Sequence, residues 1–245
     1  MVRLQKEGAF IKDWFEQHEK VISDFLLFLN EKSSDFVLKG DTALQLCYNL
    51  DRFSEDIDFD GKGPVLIEYV TEFCENNDYS FRIGKHTETV ERYFINYGND
   101  GKPLKIETSF RRREIPASDT TIINGILVYK INPLCAMKVH AYEARDTLRD
   151  LYDISFIYNN YHEQLTPQTI DFLRGAVEYK GIEQFDFVTK DQHDDLINSD
   201  KLTEDFLHMY FQLGLLVDEY EREILSKDDM VLDNPLPNRS QFEVI

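Results

Sequence analysis

Three aspartates alternate with apolar residues in the segment DIDFD. If this segment is a β-strand, its side chains alternate between two faces, so Asp56, Asp58 and Asp60 share one face. The intervening Ile57 and Phe59 then turn towards the core. Carboxylates two residues apart on one face repel each other unless a cation lies between them. Because hard oxygen ligands suit Mg²⁺ or Mn²⁺, Asp56 and Asp58 are predicted to bind a divalent metal ion.

A second predicted strand can supply a third carboxylate. In LKIETSF, residues 104–110, the apolar side chains alternate with Lys105, Glu107 and Ser109. Glu107 is therefore a candidate metal ligand beside the two aspartates. A site with three carboxylates can hold two divalent ions, which activate an attacking hydroxyl and chelate a triphosphate. The alternative is an ordinary surface glutamate, the commonest role of an outward-facing acid.

Gly40 and Thr42 lie where a predicted strand, residues 36–38, meets a predicted helix, residues 42–49. Backbone N–H groups at the start of a helix suit a phosphate, and glycine lets the backbone approach closely. The order strand, glycine, helix, strand and paired aspartates predicts a nucleotidyl-transfer site. Without the glycine turn, a lone Asp-x-Asp is ordinarily a solvated acidic edge.

Hydrophobic periodicity predicts an α+β protein with a mixed sheet flanked by helices. The first helix is indicated by apolar residues from Phe10 to Leu29 at helical spacing. After Pro133 the pattern is helical, so we place a boundary between residues 1–132 and a helical domain, residues 133–245. The predicted strands are 36–38, 56–60, 80–83, 92–97, 104–110 and 122–129. The predicted helices after the first are 42–49, 65–75, 134–159, 167–180 and 203–226, followed by an acidic tail, 227–245.

The predicted helix 134–159 carries charges in two stripes. One stripe contains Lys138, Tyr142, Arg145 and Arg149. The neighbouring stripe contains Asp146, Asp150 and Asp153. The first stripe, as a basic ridge over the carboxylate strand, would stabilise charge during phosphoryl transfer. From spacing alone, a surface helix held by weak ion pairs is the stronger alternative. The arginines at 111–113 could likewise bind phosphates or an RNA backbone, or form a solvated loop.

The composition sets limits on the class of protein. The 245 residues include 46 acids and 27 Lys or Arg, a formal net charge of −19, which argues against non-specific coating of nucleic acid. The excess is greatest in residues 161–245, with 19 acids against 7 bases. Three cysteines without Cys-x-x-Cys spacing favour a cytoplasmic setting. No stretch approaches about 20 apolar residues, so we predict no membrane span.

Two motifs resemble those of a known family, the AbiEii/AbiGii toxins. The first, LKGDTALQLCYNLDRFSEDIDF, is similar to the family pattern K-G-G-T-A-L followed by R-F-S-x-D-I-D. Its matching residues are Lys39, Gly40, Thr42, Ala43, Leu44, Arg52, Phe53, Ser54, Asp56, Ile57 and Asp58. The second motif is matched by Lys138, Arg145, Arg149, Asp150, Asp153 and Ile154. The family consists of DNA-polymerase-β-like nucleotidyltransferases from bacterial type IV toxin–antitoxin and phage-defence systems.

The resemblance implies roles for these residues. Asp56 and Asp58 would bind Mg²⁺ or Mn²⁺, and Glu107 stays the candidate third ligand from its position on the second strand. The nucleotide phosphates would be lined by Lys39, Gly40, Thr42 and Ser54. Lys138 would act on the triphosphate or in catalysis, and Asp150 would be an active-site or site-ordering acid. Arg145, Arg149 and Asp153 would orient their helix. The implied reaction moves an NMP group from an NTP to an RNA 3′ end, such as tRNA, or to a protein hydroxyl, and an antitoxin is the implied partner.

One position departs from the family pattern, because Asp41 stands where the family has its second glycine. A carboxylate there disfavours an approaching phosphate unless it turns away or reaches a metal. This position favours one alternative, a catalytically silent module that keeps the fold to bind a partner protein. A second alternative is a phosphotransferase that uses the same site.

Overall fold

All the strands of the described residues lie before Lys130, interspersed with three α-helices, and the elements after it are helical. A computed structural model describes residues 2–63, 65–98, 102–112 and 114–216, with side chains from Trp14 onward. The strands are β1 Phe36–Lys39, β2 Asp56–Gly61, β3 Ser80–His86, β4 Val90–Asn96, β5 Leu104–Ser109, β6 Thr120–Ile123 and β7 Ile126–Tyr129. The helices are α1 Val2–Lys32, α2 Gly40–Tyr48, α3 Leu66–Asn76, α4 Ile131–Ala144, α5 Leu148–Tyr161, α6 Pro167–Asp191 and α7 Ser199–Gln212.

The strands form a mixed sheet in the order β3-β4-β5-β2-β1-β7-β6. β2 pairs antiparallel with β1 and parallel with β5, while β1 pairs parallel with β7. Period-two burial drives this arrangement: Ile57 and Phe59 of β2 and Ile106 of β5 are fully buried, and their neighbours point the other way. The predicted α+β class and mixed sheet are confirmed.

One face of the sheet is covered by α1 and α3. Val21, Phe25 and Leu29, spaced as predicted, are buried along α1. Phe25 meets Phe73 of α3 edge to face, with ring centroids 5.1 Å apart. The alternate side chains of β2 and β5, including Asp58 and Glu107, lie on the other face of the sheet.

The predicted single strand 122–129 is wrong, because the chain turns back at Asn124–Gly125. Both residues have positive φ, 52° and 81°, and β6 pairs antiparallel with β7 on either side. An Asn-Gly pair favours this two-residue hairpin turn because both positions need a left-handed backbone. The dipeptide is visible in the sequence, and the unbroken apolar run around it concealed the turn.

The predicted helix 134–159 is two helices, α4 and α5, so the single stripe from Lys138 to Arg149 does not exist. α4 ends at Ala144, and Arg145 adopts an extended conformation, with φ −153° and ψ 157°. Thr147 then caps α5, its hydroxyl accepting a hydrogen bond from the backbone N–H of Asp150. A capping threonine satisfies N–H groups at a helix start, so it favours a new helix over continuation of the old one.

The C-terminal helices follow the predicted pattern in part. α6 begins at Pro167 behind the capping Thr166, and its regular part breaks at Gly181, where φ is 71°. α7 ends at Gln212, well before the predicted end at residue 226. Residues 217–226 and the predicted tail, 227–245, lie outside the described residues. The division into domains 1–132 and 133–245 stays a prediction.

Candidate active site

The turn between β1 and α2 touches the carboxylate of Asp58. Gly40, with φ 74°, opens α2 directly after β1. A Cβ at this position would lie 3.1 Å from Oδ2 of Asp58. The preceding Lys39 makes no side-chain capping hydrogen bond to α2. The turn therefore combines close backbone approach, a helix start and a carboxylate at one point.

Gly40→Ala is expected to disrupt the site more than the fold. The left-handed backbone would cost about 1–2 kcal/mol of stability in any L-residue. The added methyl would also push Asp58, and displacing a catalytic group by about 1 Å can cost roughly 100-fold in rate. Urea unfolding and a transfer assay measure the two effects.

Gly98→Ala is the matched control. Gly98 has φ 85°, and a Cβ there would meet no heavy atom within 4 Å among the residues that the structure describes. The control should lose similar stability and keep its activity. Equal loss of activity in the two variants would show that the contact with Asp58 is unimportant.

The predicted metal ligands lie side by side on adjacent strands. Asp58 is the register partner of Glu107 on β5, and Asp56 is the partner of Lys105. Cross-strand partners present their side chains on the same face, so the three carboxylates share one surface of the sheet. The interpretation of β2 and β5 as outward-facing acidic strands is confirmed, and the role of the three acids as metal ligands stays a prediction.

Two cations now lie against these carboxylates. Nζ of Lys105 is 2.7 Å from Oδ2 of Asp56, and Nε of Arg92 is 2.6 Å from Oε2 of Glu107. Within the described chain, no three His, Cys, Asp or Glu side chains are grouped closely enough to hold a metal ion as they stand. Metal binding would therefore exchange the contacts of Lys105 and Arg92 for an ion.

The Asp58 carboxylate is the least compensated of the three. Burial, above all, raises the pKa of Asp58 to about 6; Lys105 opposes the rise, and Asp56, Glu107 and Asp41 add to it. A buried acid surrounded by other acids is unfavourable as an anion unless a cation joins it. Carboxylate donors on adjacent strands and the close Gly40 backbone together fit a divalent ion such as Mg²⁺.

Asp41, the position that departs from the family pattern, pairs with two cations. One carboxylate oxygen contacts Nζ of Lys138, and the other lies 2.8 Å from Nη2 of Arg52. Both cations also bind Asp153: Arg52 bidentately, at 2.8 and 2.7 Å, and Lys138 at 2.5 Å. We call Asp41, Arg52, Lys138 and Asp153 the ion network. It joins α2 and the loop before β2 to α4 and α5.

The ion network sets the protonation of Asp41 and the partners of Lys138. Burial alone would raise the pKa of Asp41, but Lys138 and Arg52 outweigh it, so the pKa is lowered and Asp41 stays ionised. Lys138, predicted to act on the triphosphate, is instead held by two carboxylates in this structure. Arg52 and Asp153 lie 101 residues apart in sequence, so no local pattern could predict their contact.

Asp150 is buried and orders the junction between α4 and α5. Arg145 reaches it through Nε and Nη2, at 2.6 and 3.0 Å, and Thr147 donates a hydrogen bond to it at 2.5 Å. Arg149 pairs instead with Asp194, at 2.6 Å. These contacts hold the junction between α4 and α5, and the role of Asp150 as an active-site or site-ordering acid stays a prediction.

Two adjoining clefts open beside these groups. The carboxylate cleft, about 290 Å³, is lined by Asp41, Ser54, Glu55, Asp56, Asp58, Lys105, Arg145, Thr147 and Arg149. The α4 cleft, about 240 Å³, is lined by Lys39, Gly40, Asp41, Asp58, Leu134, Met137, Lys138, Ala141 and Arg145. Asp41, Asp58 and Arg145 line both. The first cleft is lined by four acids and three basic residues, and the second includes the apolar side chains Leu134, Met137 and Ala141 of α4.

The remaining predicted nucleotide contacts are engaged within the protein. Thr42 and Ser54 are buried and their hydroxyl oxygens are 2.7 Å apart, while Thr42 also donates to the carbonyl of Asp56. Lys39 binds Asp60 at 2.5 Å. Thr42 and Ser54 thus fasten the start of α2 to the start of β2. Direct contact of these side chains with a nucleotide stays a prediction.

His18 is a positioning residue that the sequence did not reveal. It is buried on α1, with Nδ1 2.5 Å from the hydroxyl of Tyr97 and Nε2 donating to the carbonyl of Glu55 at 2.8 Å. Burial lowers the pKa of His18, which favours the neutral ring. His18 thereby holds the residue before Asp56, and only the tertiary fold brings the two together.

The predicted arginine cluster at 111–113 is described in part. Arg111 and Arg112 are exposed, with the guanidinium of Arg112 5.7 Å from the ring centroid of Tyr129. Arg113 lies outside the described residues. Across the part of the chain that is described, no helix is long and apolar enough to cross a membrane.

The sequence match below shows that the chain is a nucleotidyltransferase, and the carboxylates beside the glycine turn are its candidate active site. The polymerase-β-like relationship stays what the family resemblance implies. The chain belongs to the AbiEii family, described as nucleotidyl transferase AbiEii toxin of the type IV toxin–antitoxin system, whose sequence model matches residues 25–227. No curated protein matches the sequence. The predicted family resemblance is confirmed.

Two solved structures from Helicobacter pylori share the fold. The structure of JHP933 is 24% identical, with a TM-score of 0.67, and the match covers 90% of this chain and 98% of that chain. A second protein, provisionally described as a nucleotidyltransferase, is 25% identical with a TM-score of 0.67, and the match covers 86% and 96%. The similarity therefore spans nearly the whole of both proteins.

Proposed function

We propose that this nucleotidyltransferase moves an NMP group from an NTP to a hydroxyl acceptor in a Mg²⁺- or Mn²⁺-dependent reaction. The acceptor oxygen bonds to the α-phosphorus, the bond from that phosphorus to the β-phosphate oxygen breaks, and pyrophosphate leaves. The hydroxyl proton passes to solvent. The observation that carries the proposal is Asp58, the least compensated of the three acids, against the Gly40 turn, with Asp56 and Glu107 on the same sheet surface.

Asp56, Asp58 and Glu107 are the residues that would hold the metal. A divalent ion bound there supplies activation of the attacking hydroxyl and neutralisation of triphosphate charge. Lys105 now neutralises Asp56, and its position in the carboxylate cleft lets it turn to a phosphate once that acid is engaged.

The protein's own backbone and basic residues would position the nucleotide. The start of α2 at Gly40 offers N–H groups and the positive end of the helix to a phosphate. Arg145 and Arg149 line the carboxylate cleft while paired with Asp150 and Asp194, and the guanidinium N–H groups that face the cleft would stabilise the leaving pyrophosphate. The apolar wall of Leu134 and Met137 in the α4 cleft suits a nucleobase.

The acceptor is an RNA 3′ end, such as that of tRNA, or a protein hydroxyl. The exposed Arg111 and Arg112, together with Arg145 and Arg149 in the lining of the carboxylate cleft, favour RNA. Membership of a type IV toxin–antitoxin family supports an antitoxin as partner and a toxin-like role in the cytoplasm.

Labelled substrates identify the base and the acceptor together. The full chain is incubated with Mg²⁺, each α-labelled NTP in turn, total RNA and lysate protein. We expect label in RNA, and treatment with ribonuclease should remove it. Label that survives ribonuclease and is lost with protease would assign a protein acceptor. No label in either pool, with any NTP and with Mg²⁺ or Mn²⁺, would refute the proposed function.

A further inference from the structure

The ion network holds equal numbers of positive and negative charges only because Asp41 is part of it. Arg52 and Asp153 are fully buried, and Lys138 is nearly so. Without Asp41, two buried cations would face a single buried acid, which is an unfavourable excess of one charge. A fourth, anionic partner is therefore a physical requirement of this arrangement.

Asp41 differs from the other three members by its access to solvent. Its side chain is 29% exposed, and it lines both the carboxylate cleft and the α4 cleft. Lys138 also lines the α4 cleft, close to Gly40. The anionic position of the network thus opens into the proposed substrate site, whereas Asp153 closes the network from the interior.

Arg52 carries N–H donors that Asp41 and Asp153 do not use. Nη1 of Arg52 is buried and has no hydrogen-bond partner among the described residues. A carboxylate offers two oxygens, already used by Lys138 and Arg52. A phosphate group offers three in a tetrahedral array and suits a lysine and an arginine that converge on one point.

We propose that Lys138 and Arg52 form a phosphate subsite that the carboxylate of Asp41 occupies until a nucleotide triphosphate displaces it. The inference rests on the proposed function for the identity of the natural ligand. The side chain of Asp41 can leave into the adjoining cleft, while Lys138 and Arg52 keep Asp153 as a partner. Asp41 is then a built-in competitor of the substrate, and it sets the nucleotide concentration at which the enzyme becomes active.

Pyrophosphate titration by calorimetry tests this in the full-length chain, with chelator present so that no metal contributes. Asp41→Asn keeps the shape and removes the charge, and it should bind pyrophosphate at least about tenfold more tightly than wild type. In Asp41→Asn/Lys138→Met the gain should disappear. Asp35→Asn, an exposed acid at the far end of β1, should match wild type, and adenosine should show no gain with Asp41→Asn.

A different role for Asp41 predicts the opposite change in pyrophosphate affinity. If Asp41 positions Lys138 to receive substrate, Asp41→Asn will bind pyrophosphate as weakly as wild type or more weakly, and the inference is overturned. An equal gain in the double variant, which lacks the Lys138 ammonium, would also overturn it.

Folding of the variant provides a second measurement. Asp41→Asn should have a lower thermal midpoint than wild type without ligand, and pyrophosphate should raise the midpoint of the variant more than that of wild type. If the variant is recovered unfolded, refolding with pyrophosphate should restore it, and failure to do so would count against the subsite. Neither calorimetry nor thermal unfolding depends on nucleotidyl transfer. A gain in pyrophosphate affinity without any labelled product would therefore refute the proposed function and leave the phosphate subsite standing.

Discussion

Asp58→Asn is expected to lower nucleotidyl transfer by about 1,000-fold or more while leaving the protein folded. Asp58 is the carboxylate that the Gly40 turn approaches, and it is flanked by the other two candidate ligands. A metal ion that neutralises developing charge contributes several kcal/mol to the transition state. Since 1.36 kcal/mol is a factor of ten in rate, loss of a central ligand should cost about three orders of magnitude.

The same substitution should raise stability in metal-free protein. Because the pKa of Asp58 is raised to about 6, the native state binds this proton more tightly than the unfolded chain. The stability that protonated Asp58 contributes is therefore fully present below about pH 4, and it is lost as the pH rises through about 6. At pH 7.5 in chelator, Asp58→Asn should be more stable than wild type by about 1–3 kcal/mol, with no difference below pH 4.

Asp35→Asn serves as the control, since its exposed pair with Lys62 lies away from the site. It should keep both activity and wild-type pH dependence. A loss of activity in Asp58→Asn accompanied by lower stability at pH 7.5 would mean a structural acid. Added Mg²⁺ should raise the thermal midpoint of wild type, and Asp58→Asn should not respond.

Asp153→Asn is expected to destabilise the protein by about 3–5 kcal/mol, the usual cost of leaving a buried charge without its partner. Asp153 is completely buried and receives two hydrogen bonds from Arg52 and one from Lys138. Its loss leaves two cations with Asp41 alone. Urea unfolding followed by circular dichroism measures the change in the free energy of unfolding.

An exposed ion pair gives the comparison. Lys62→Gln breaks the pair with Asp35, in which both side chains are about half exposed, and should change stability by less than about 1 kcal/mol. Arg52→Met should approach the cost of Asp153→Asn, because it leaves Asp153 and Asp41 to share Lys138, again an excess of one charge in the network. If Asp153→Asn is as mild as Lys62→Gln, the ion network does not hold α5 to the rest of the fold.

The parts of the fold that sequence could predict are those with a strong local period. Ile57 and Phe59 alternate with acids over a whole strand, and residues from Val21 to Leu29 repeat at helical spacing. Where a turn or a helix-capping residue lies within a segment, the hydrophobic periodicity on its two sides continues without a visible break. That is why the sequence pattern predicts one continuous strand across the Asn124–Gly125 turn and one continuous helix across the capping Thr147.

The site residues also divide into those that the sequence could predict and those that it could not. The paired aspartates and the glycine turn lie within 19 residues of each other, so their spacing carries information. Arg52 and Asp153, or His18 and Glu55, meet only after the helices pack. Asp41 is the instructive case. Its charge argues against phosphate binding when read alone, and its two cationic partners, one of them 97 residues away, change that meaning.

Parallel incubations with α-labelled and γ-labelled NTP test whether the site performs nucleotidyl transfer. The proposed reaction puts the α-label on the acceptor, leaves the γ-label in pyrophosphate, and adds the mass of one NMP to the acceptor. Asp58→Asn should abolish the signal. Transfer of the γ-label, with a nucleoside diphosphate as the other product, would contradict the proposal and show that the site is a phosphotransferase.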